Sequence, residues 1–462
     1  MERTLLSEPL SALLVDLAFH GFTVDDPQFA EPVRLTWDLL DLSEPAGRVS
    51  WENEPLALLC EANEAVFDRL HAALEIRNKS AFIELRDGTQ LRAEIAHLSN
   101  LWPGRTAQID LHHWSWGGST TPAHWICQVE GKFPAQGNLA IREHTAEQWR
   151  VRSDCYRLQG HYVWHLLRTG ATPTLTAVID PGEAGIIDAD FVRRDFLALQ
   201  LAFGGPLKLS RLVGIDAARH PVGAIGVGTF TRQPRRQRAP VPDDIGQGAT
   251  WIAAFFGSLA SRLSADGLHP LRIPIAAYLD SITDHLDGAY LKAQVGLEAF
   301  AKYLVATEGK KLLVKDEAKW KHWVKSLKPE IAAHVEDSTK LGTVFGKFVS
   351  AMYAPTGDLV ERAFGSAISL PQEVVEEIKK RNYPAHGFMM NSDGSYDVDR
   401  DVHRLEMIQT LMMALVALHV GYRGPLKGYD VRDDGGRHPP PWWPEHAHHE
   451  VRDEQFLAER TQ

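Results

Sequence analysis

Cysteine is scarce. The 462 residues carry three, Cys60, Cys127 and Cys155. An odd number without metal-like spacing excludes a disulfide framework and a thiolate metal cluster, and it points to a reducing compartment. No run of about 18 apolar residues occurs, so no segment reads as a membrane-spanning helix. The opening residues Met-Glu-Arg-Thr-Leu-Leu-Ser-Glu-Pro lack the pattern of a secretory leader, and the expected location is cytoplasmic. Positive charge is in deficit: 49 Lys+Arg stand against 60 Asp+Glu, a formal net charge of −11. That balance argues against a surface that binds nucleic acid indiscriminately. Internal repeats, a phosphate loop and a Ser-His-Asp elbow are also missing. The glycines Gly223, Gly226 and Gly228 have the wrong spacing for a dinucleotide fingerprint, and no helix pattern opens after them. What is present is the composition of a globular protein, 44% hydrophobic and 24% charged, long enough for two cores.

The patterning divides this length, and the expected fold class is α+β. Residues 1–240 read as a strand-rich sensing or regulatory region. Strand formers bounded by Gly, Pro, Asp or Asn predict strands at 106–112, 124–129, 155–164 and 174–179. Apolar residues at three-and-four spacing predict helices at 56 to about 76 and at 190–203. Trp114, Trp116, Trp125 and Trp164 share this half with His112, His113, His124, His161 and His165. They read as core and cross-strand packing or as an aromatic recognition surface. Alternation over 161–165 puts His161 and His165 on one strand face, but no third ligand can be named, so no metal is assigned.

Residues 231–246, rich in Pro and charge, mark the boundary. Arg232, Arg235, Arg236 and Arg238 belong to a solvated linker or touch an RNA backbone. Residues 247–424 read as helical. Pro274 is expected to start one helix, 288–306 form another, and 398–420 the last. The tail, 425–462, holds three consecutive prolines, Trp442, Trp443 and the histidines His438, His446, His448 and His449. Four imidazoles suffice in principle for zinc, yet the tail reads as a segment with adventitious metal affinity, and no cofactor is expected.

The helical half is organised around Arg381-Asn382-Tyr383-Pro384-Ala385-His386. Pro384 ends or kinks the helix leading in, so the arginine and histidine can converge. Arginine grips phosphate with a planar fork of donors, and histidine moves a proton near neutral pH. Together they form a minimal kit for cleaving a phosphodiester without metal. A second group, Lys315, Lys319, Lys321 and Lys325 with Trp320 and Trp323, combines charge that tracks phosphates with indoles that stack on bases; a solvated helix with core tryptophans is the other reading.

The segment from 279 to 424 resembles the HEPN family (higher eukaryotes and prokaryotes nucleotide-binding domains) in its Arg-Asn-x3-His motif between late helices and in the helix over 288–304. The resemblance implies an α-helical HEPN bundle with Arg381, Asn382 and His386 at the site and Glu298 as an acidic residue facing it. It implies a metal-independent endoribonuclease, a homodimer through this domain, with RNA, possibly tRNA, as substrate. A varied N-terminal region before such a domain is similar to anti-phage abortive-infection proteins of the ApeA type, which implies a phage-derived trigger or a regulatory partner. The alternative within the family is a non-catalytic module that binds RNA, a nucleotide or a partner protein.

Overall fold

The computed structural model describes residues 13–14, 32–37, 40–43, 47–50, 56–62, 80–86, 90–99, 105–117, 121–131, 133, 137, 139–144, 149–168, 174–181, 187–209, 212–226, 238–241, 248–266, 269–307, 314, 316–350, 356–365, 367–379, 397–428 and 443. The fold is mixed, a large antiparallel sheet with helices. The chain forms two compact units, Met1–Gln237 with Asp243–Ser264, and Arg238–Pro242 with Ala265–Gln462.

The first unit is built on the sheet. Its strands are β1 (Pro32–Trp37), β2 (Leu40–Ser43), β3 (Gly47–Ser50), β4 (Leu56–Ala62), β5 (Ser80–Leu85), β6 (Gln90–Ser99), β7 (Arg105–Gly117), β8 (His124–Glu130), β9 (Leu139–His144), β10 (Trp149–Gln159), β11 (Val163–Arg168), β12 (Thr174–Asp180), β13 (Lys208–Leu209), β14 (Leu212–Ile215) and β15 (Pro221–Ile225). Twelve of them run in the order β2-β1-β5-β6-β7-β15-β14-β8-β12-β11-β10-β9, and off this path β13 pairs with β8, β3 with β4, and β4 with β7. The 13-residue β7 joins the two halves. It pairs with β6 on one side, and on the other with β4 over its first part and β15 at its end.

Helix α1 (Ala189–Phe203) covers the β10–β11 region. Asp188 caps it by accepting from the Asp190 N–H, and Gly204, at φ 70°, closes it in the left-handed conformation that glycine adopts without strain. Phe203 meets Tyr156 edge to face at 5.4 Å. Beneath it the apolar face of the strands, Trp125, Cys127, Tyr156, Leu158, Trp164, Leu166, Ala177 and Ile179, is buried. Trp125 and Trp164 are therefore core residues. Helix α2 (Gly248–Asp266) buries Ile252, Phe255, Phe256, Leu259 and Leu263, and through Ser264 it belongs to this first unit.

Two expectations fail in the sheet. The helix over 56–76 is replaced at its start by β4, paired antiparallel to β3 and β7. The residues there, Leu-Ala-Leu-Leu-Cys, form a nearly continuous apolar run that suits either period, and the ladder decides it. The single strand over 155–164 is a hairpin, with β10 ending at Gln159 and β11 starting at Val163. His161 therefore lies exposed in the turn, whereas His165 is buried at 4% exposure; they share no strand face. The glycines at 223 and 226 belong to β15 and its end, not to a phosphate loop.

The second unit is helical among its described residues: α3 (His269–Thr283), α4 (Leu286–Thr307), α5 (Glu317–Ser326), α6 (Lys328–Ala333), α7 (Leu341–Ser350), α8 (Thr356–Phe364), α9 (Gln372–Lys379) and α10 (Val398–His419). Helix α10 is buried at every position from Ile408 to Ala417, which makes it the unit's central helix. α4 packs against α3, α8 and α10. Its closest approach is at Gly296, where an added Cβ would stand 2.3 Å from Ala277 Cβ and 2.9 Å from Met412 Sδ. Pro274 does not start a helix; it lies inside α3. Pro270, four residues earlier, sits at the N-terminal turn instead, where a missing N–H costs nothing. No described helix is long and apolar enough to cross a membrane.

Candidate functional site

Helix α9 leads to the motif. The Pro371 carbonyl accepts from the N–H groups of Val374 and Val375 at 3.0 and 3.2 Å. Val375 and Ile378 are buried, and α9 packs against α8 and α10. Arg381 and Asn382 follow the end of α9 by two and three residues, and His386 precedes α10. Arg381, Asn382 and His386 lie outside the described residues, as does Lys315.

Glu298 stands on α4, half-buried. Gln294, one turn earlier and buried, donates its Nε2–H to Glu298 Oε1 at 3.1 Å. Helical spacing sets Glu298 at the edge of the buried arc, between Gln294 and Val305 on the inner side and the exposed Leu291 and Lys302 on the outer. The carboxylate is thus held at the rim of the bundle rather than in its core.

A different polar group, missed by sequence reasoning, lies deeper. Arg238 donates to Gln409 Oε1 at 2.7 Å and forms a short ion pair with Glu406. Gln409 Nε2 donates to Ser281 Oγ at 2.7 Å, Ser281 Oγ donates to the Tyr278 carbonyl, and the Tyr278 hydroxyl donates to the Arg238 carbonyl. All five side chains are buried, and burial pushes the Tyr278 hydroxyl pKa up. The expectation that Arg238 belongs to a solvated linker or touches RNA is overturned. A guanidinium in this position costs several kcal/mol unless paired, and Glu406 supplies the pairing from 168 residues away. The network is structural, since its donors and acceptors satisfy one another.

The lysine group of α5 separates into two. Asp316 caps the helix, accepting from the Lys319 N–H at 2.9 Å. Asp316, Lys319, Trp320 and Trp323 fall at i, i+3, i+4 and i+7, and with Val314 they line an open groove of about 360 Å³. The Trp320 and Trp323 rings touch, centroids 5.0 Å apart and tilted by 50°. Trp323 is 50% exposed, and the enclosed Trp320 Nε1 has no hydrogen-bond partner among the described residues. Lys321 and Lys325 lie across the helix from this groove, with Lys321 Nζ 2.6 Å from Glu317 Oε1. Of the expected RNA-binding residues that are described, Lys319, Lys321 and Lys325, the fold brings Lys319 to the tryptophans.

In the first unit, Asp195 of α1 is fully buried against the β10–β11 turn. Its carboxylate accepts from His161 N at 2.9 Å, and from Tyr162 N and Trp164 Nε1 at 3.0 Å each. Burial raises its pKa despite these donors. Gly160 is required there, because an added Cβ would meet the carboxylate at 2.5 Å. His165 is held neutral: burial, with Arg157 opposite on β10, lowers its pKa to about 4. Among the described residues no three His, Cys, Asp or Glu side chains converge as metal ligands do.

No family model, curated protein or solved structure matches this chain.

Proposed function

We propose that this chain is a metal-independent endoribonuclease of the HEPN type that acts in anti-phage defence or as a toxin in the cytoplasm. The observation that carries the reading is the motif itself, Arg381-Asn382-x3-His386, which the sequence places between α9 and the central helix α10. The helical character of the second unit and the acid Glu298 at the rim of α4 are consistent supports. Two protomers bring their Arg381 and His386 into one groove. One His386 accepts the 2′-hydroxyl proton as that oxygen attacks the adjacent phosphorus. The new P–O2′ bond forms as the P–O5′ bond breaks, and the other His386 returns a proton to the leaving oxygen. Arg381 stabilises the charge on the non-bridging oxygens. The products are a 2′,3′-cyclic phosphate and a 5′-hydroxyl, and DNA, lacking the 2′-hydroxyl, is not cut. tRNA or another RNA with single-stranded segments is the substrate, and the first unit senses a phage-derived trigger or a regulatory partner.

Purified protein incubated with RNA in EDTA tests this. Cleavage that His386→Ala and Arg381→Ala each abolish supports the mechanism; cleavage that survives His386→Ala overturns it. The second reading, a non-catalytic HEPN module that binds RNA, a nucleotide or a partner protein, is favoured by the net charge of −11 and by the engagement of Glu298 with Gln294. Binding of RNA without cleavage, by a protein already exposed to its trigger, would establish it instead.

A further inference from the structure

We infer that the α5 groove is a docking site for single-stranded RNA, which stacks a base on Trp323 and sets a phosphate against Lys319. This rests on the ribonuclease reading for the choice of RNA, but its observations are those of the groove. Trp323 stands half exposed on α5, with Lys319, His322 and Ser326 exposed beside it on that helix. A stable protein interface needs about 800 Å² from each partner, largely apolar at its centre. An exposed aromatic flanked by a cation meets the smaller demand of one nucleotide, a π-face for the base and a charge for the backbone.

Charge and geometry agree with that occupant. The Lys319 side chain is 87% exposed, and its pairing with Asp316 spans 3.7 Å, so its ammonium is open to exchange that contact for a phosphate. Trp320 lies against Trp323, ring centroids 5.0 Å apart and tilted by 50°, so the indole offered to a base is braced by a second ring. The Asp316 carboxylate in the lining is an acceptor for a base amino group. Helix α7 holds α5 from the side, and α5, α6 and α7 pack on one another, so the helix that carries the two tryptophans is braced. Lys321 and Lys325, on the far side of α5, take no part.

The test is fluorescence anisotropy of labelled single-stranded RNA homopolymers, in EDTA at low salt, with the full-length protein. Wild-type protein binds. Trp323→Ala weakens binding about tenfold or more. Lys319→Ala weakens it less and makes the log–log salt dependence shallower by about 0.7, the share of one phosphate on a single strand. Lys325→Ala leaves both unchanged. Absence of binding by wild-type protein, or a Trp323→Ala variant that binds as wild type does, overturns the inference. So does a proline-rich peptide that binds in place of RNA and is lost with Trp323. The same variants assayed for cleavage separate the two proposals. Loss of binding in Trp323→Ala with no cleavage by any protein leaves the dock standing and removes the nuclease; unchanged binding with cleavage that depends on His386 does the reverse.

Discussion

Asp195 in the sheet-bearing unit and Glu406 in the helical unit are both buried acids, but they are neutralised by different means. Asp195 has no cationic partner in its set of donors: two backbone N–H groups and an indole N–H from a turn some 31–34 residues earlier hold it. Glu406 pairs with a guanidinium from 168 residues earlier, inside a network that also ties α3 to α10. The first arrangement locks a local hairpin against the helix that follows it. The second fastens a short segment, 238–241, to the central helix of its own unit, and Lys427 N adds a bond to the Pro240 carbonyl at 2.8 Å. The difference teaches where each unit concentrates its specificity: in a turn for the sheet, in a long-range ion pair for the bundle.

The comparison can be broken by removing each acid. Glu406→Ala leaves Arg238 charged and buried without its partner, and should cost about 3–5 kcal/mol in urea unfolding. A double replacement, Arg238→Met with Glu406→Leu, should recover most of that; equal losses in single and double variants would mean the pair matters only through packing. Asp195→Asn keeps the shape but turns an amide NH₂ toward three donors, and should cost about 2–4 kcal/mol by the same measurement. Burial raises the Asp195 pKa, so its contribution is full in acid and declines as pH rises through the folded value.

His165 acts in the opposite sense. Its pKa is lowered from 6.5 to about 4, so the unfolded chain binds the extra proton first. Stability is full above pH 6.5 and falls as pH drops toward 4, by roughly 3 kcal/mol. His165→Leu should flatten the melting temperature over that window, and a profile identical to wild type would contradict the assignment. At the α4 crossing, Gly296→Ala forces a methyl against Ala277 and Met412 and should cost about 1–3 kcal/mol, measured by thermal melting. Trp323→Ala, at the exposed groove, should change stability by no more than about 0.5 kcal/mol, which is what makes it a clean binding variant.

Elements with one dominant period were legible in the sequence. The strands at β8 and β12, the helix α1 with its closing glycines, and the long helices α4 and α10 all follow their local patterns. What escaped depends on distant partners. The turn that splits 155–164 is made by Asp195, which the alternation of that stretch cannot announce. β4 carries an apolar run compatible with helix, and its pairing with β7 comes from 49 residues or so further along. Arg238 sits in a stretch whose composition reads as linker, while its partners lie in α10. At the candidate site Arg381 and His386 were readable as residue types at a spacing, and both lie outside the described residues. On α5 the sequence offered lysines and tryptophans together, and only the helical phase separates Lys319 from Lys321 and Lys325.

The central claim is that His386 moves protons in RNA cleavage. The most direct measurement is end-group analysis of total RNA from cells that express wild-type or His386→Ala protein, with and without phage challenge. The account predicts fragments ending in 2′,3′-cyclic phosphate in the wild type and none in the variant. Fragments that persist in His386→Ala, or RNA that stays intact in both strains through infection, would contradict it.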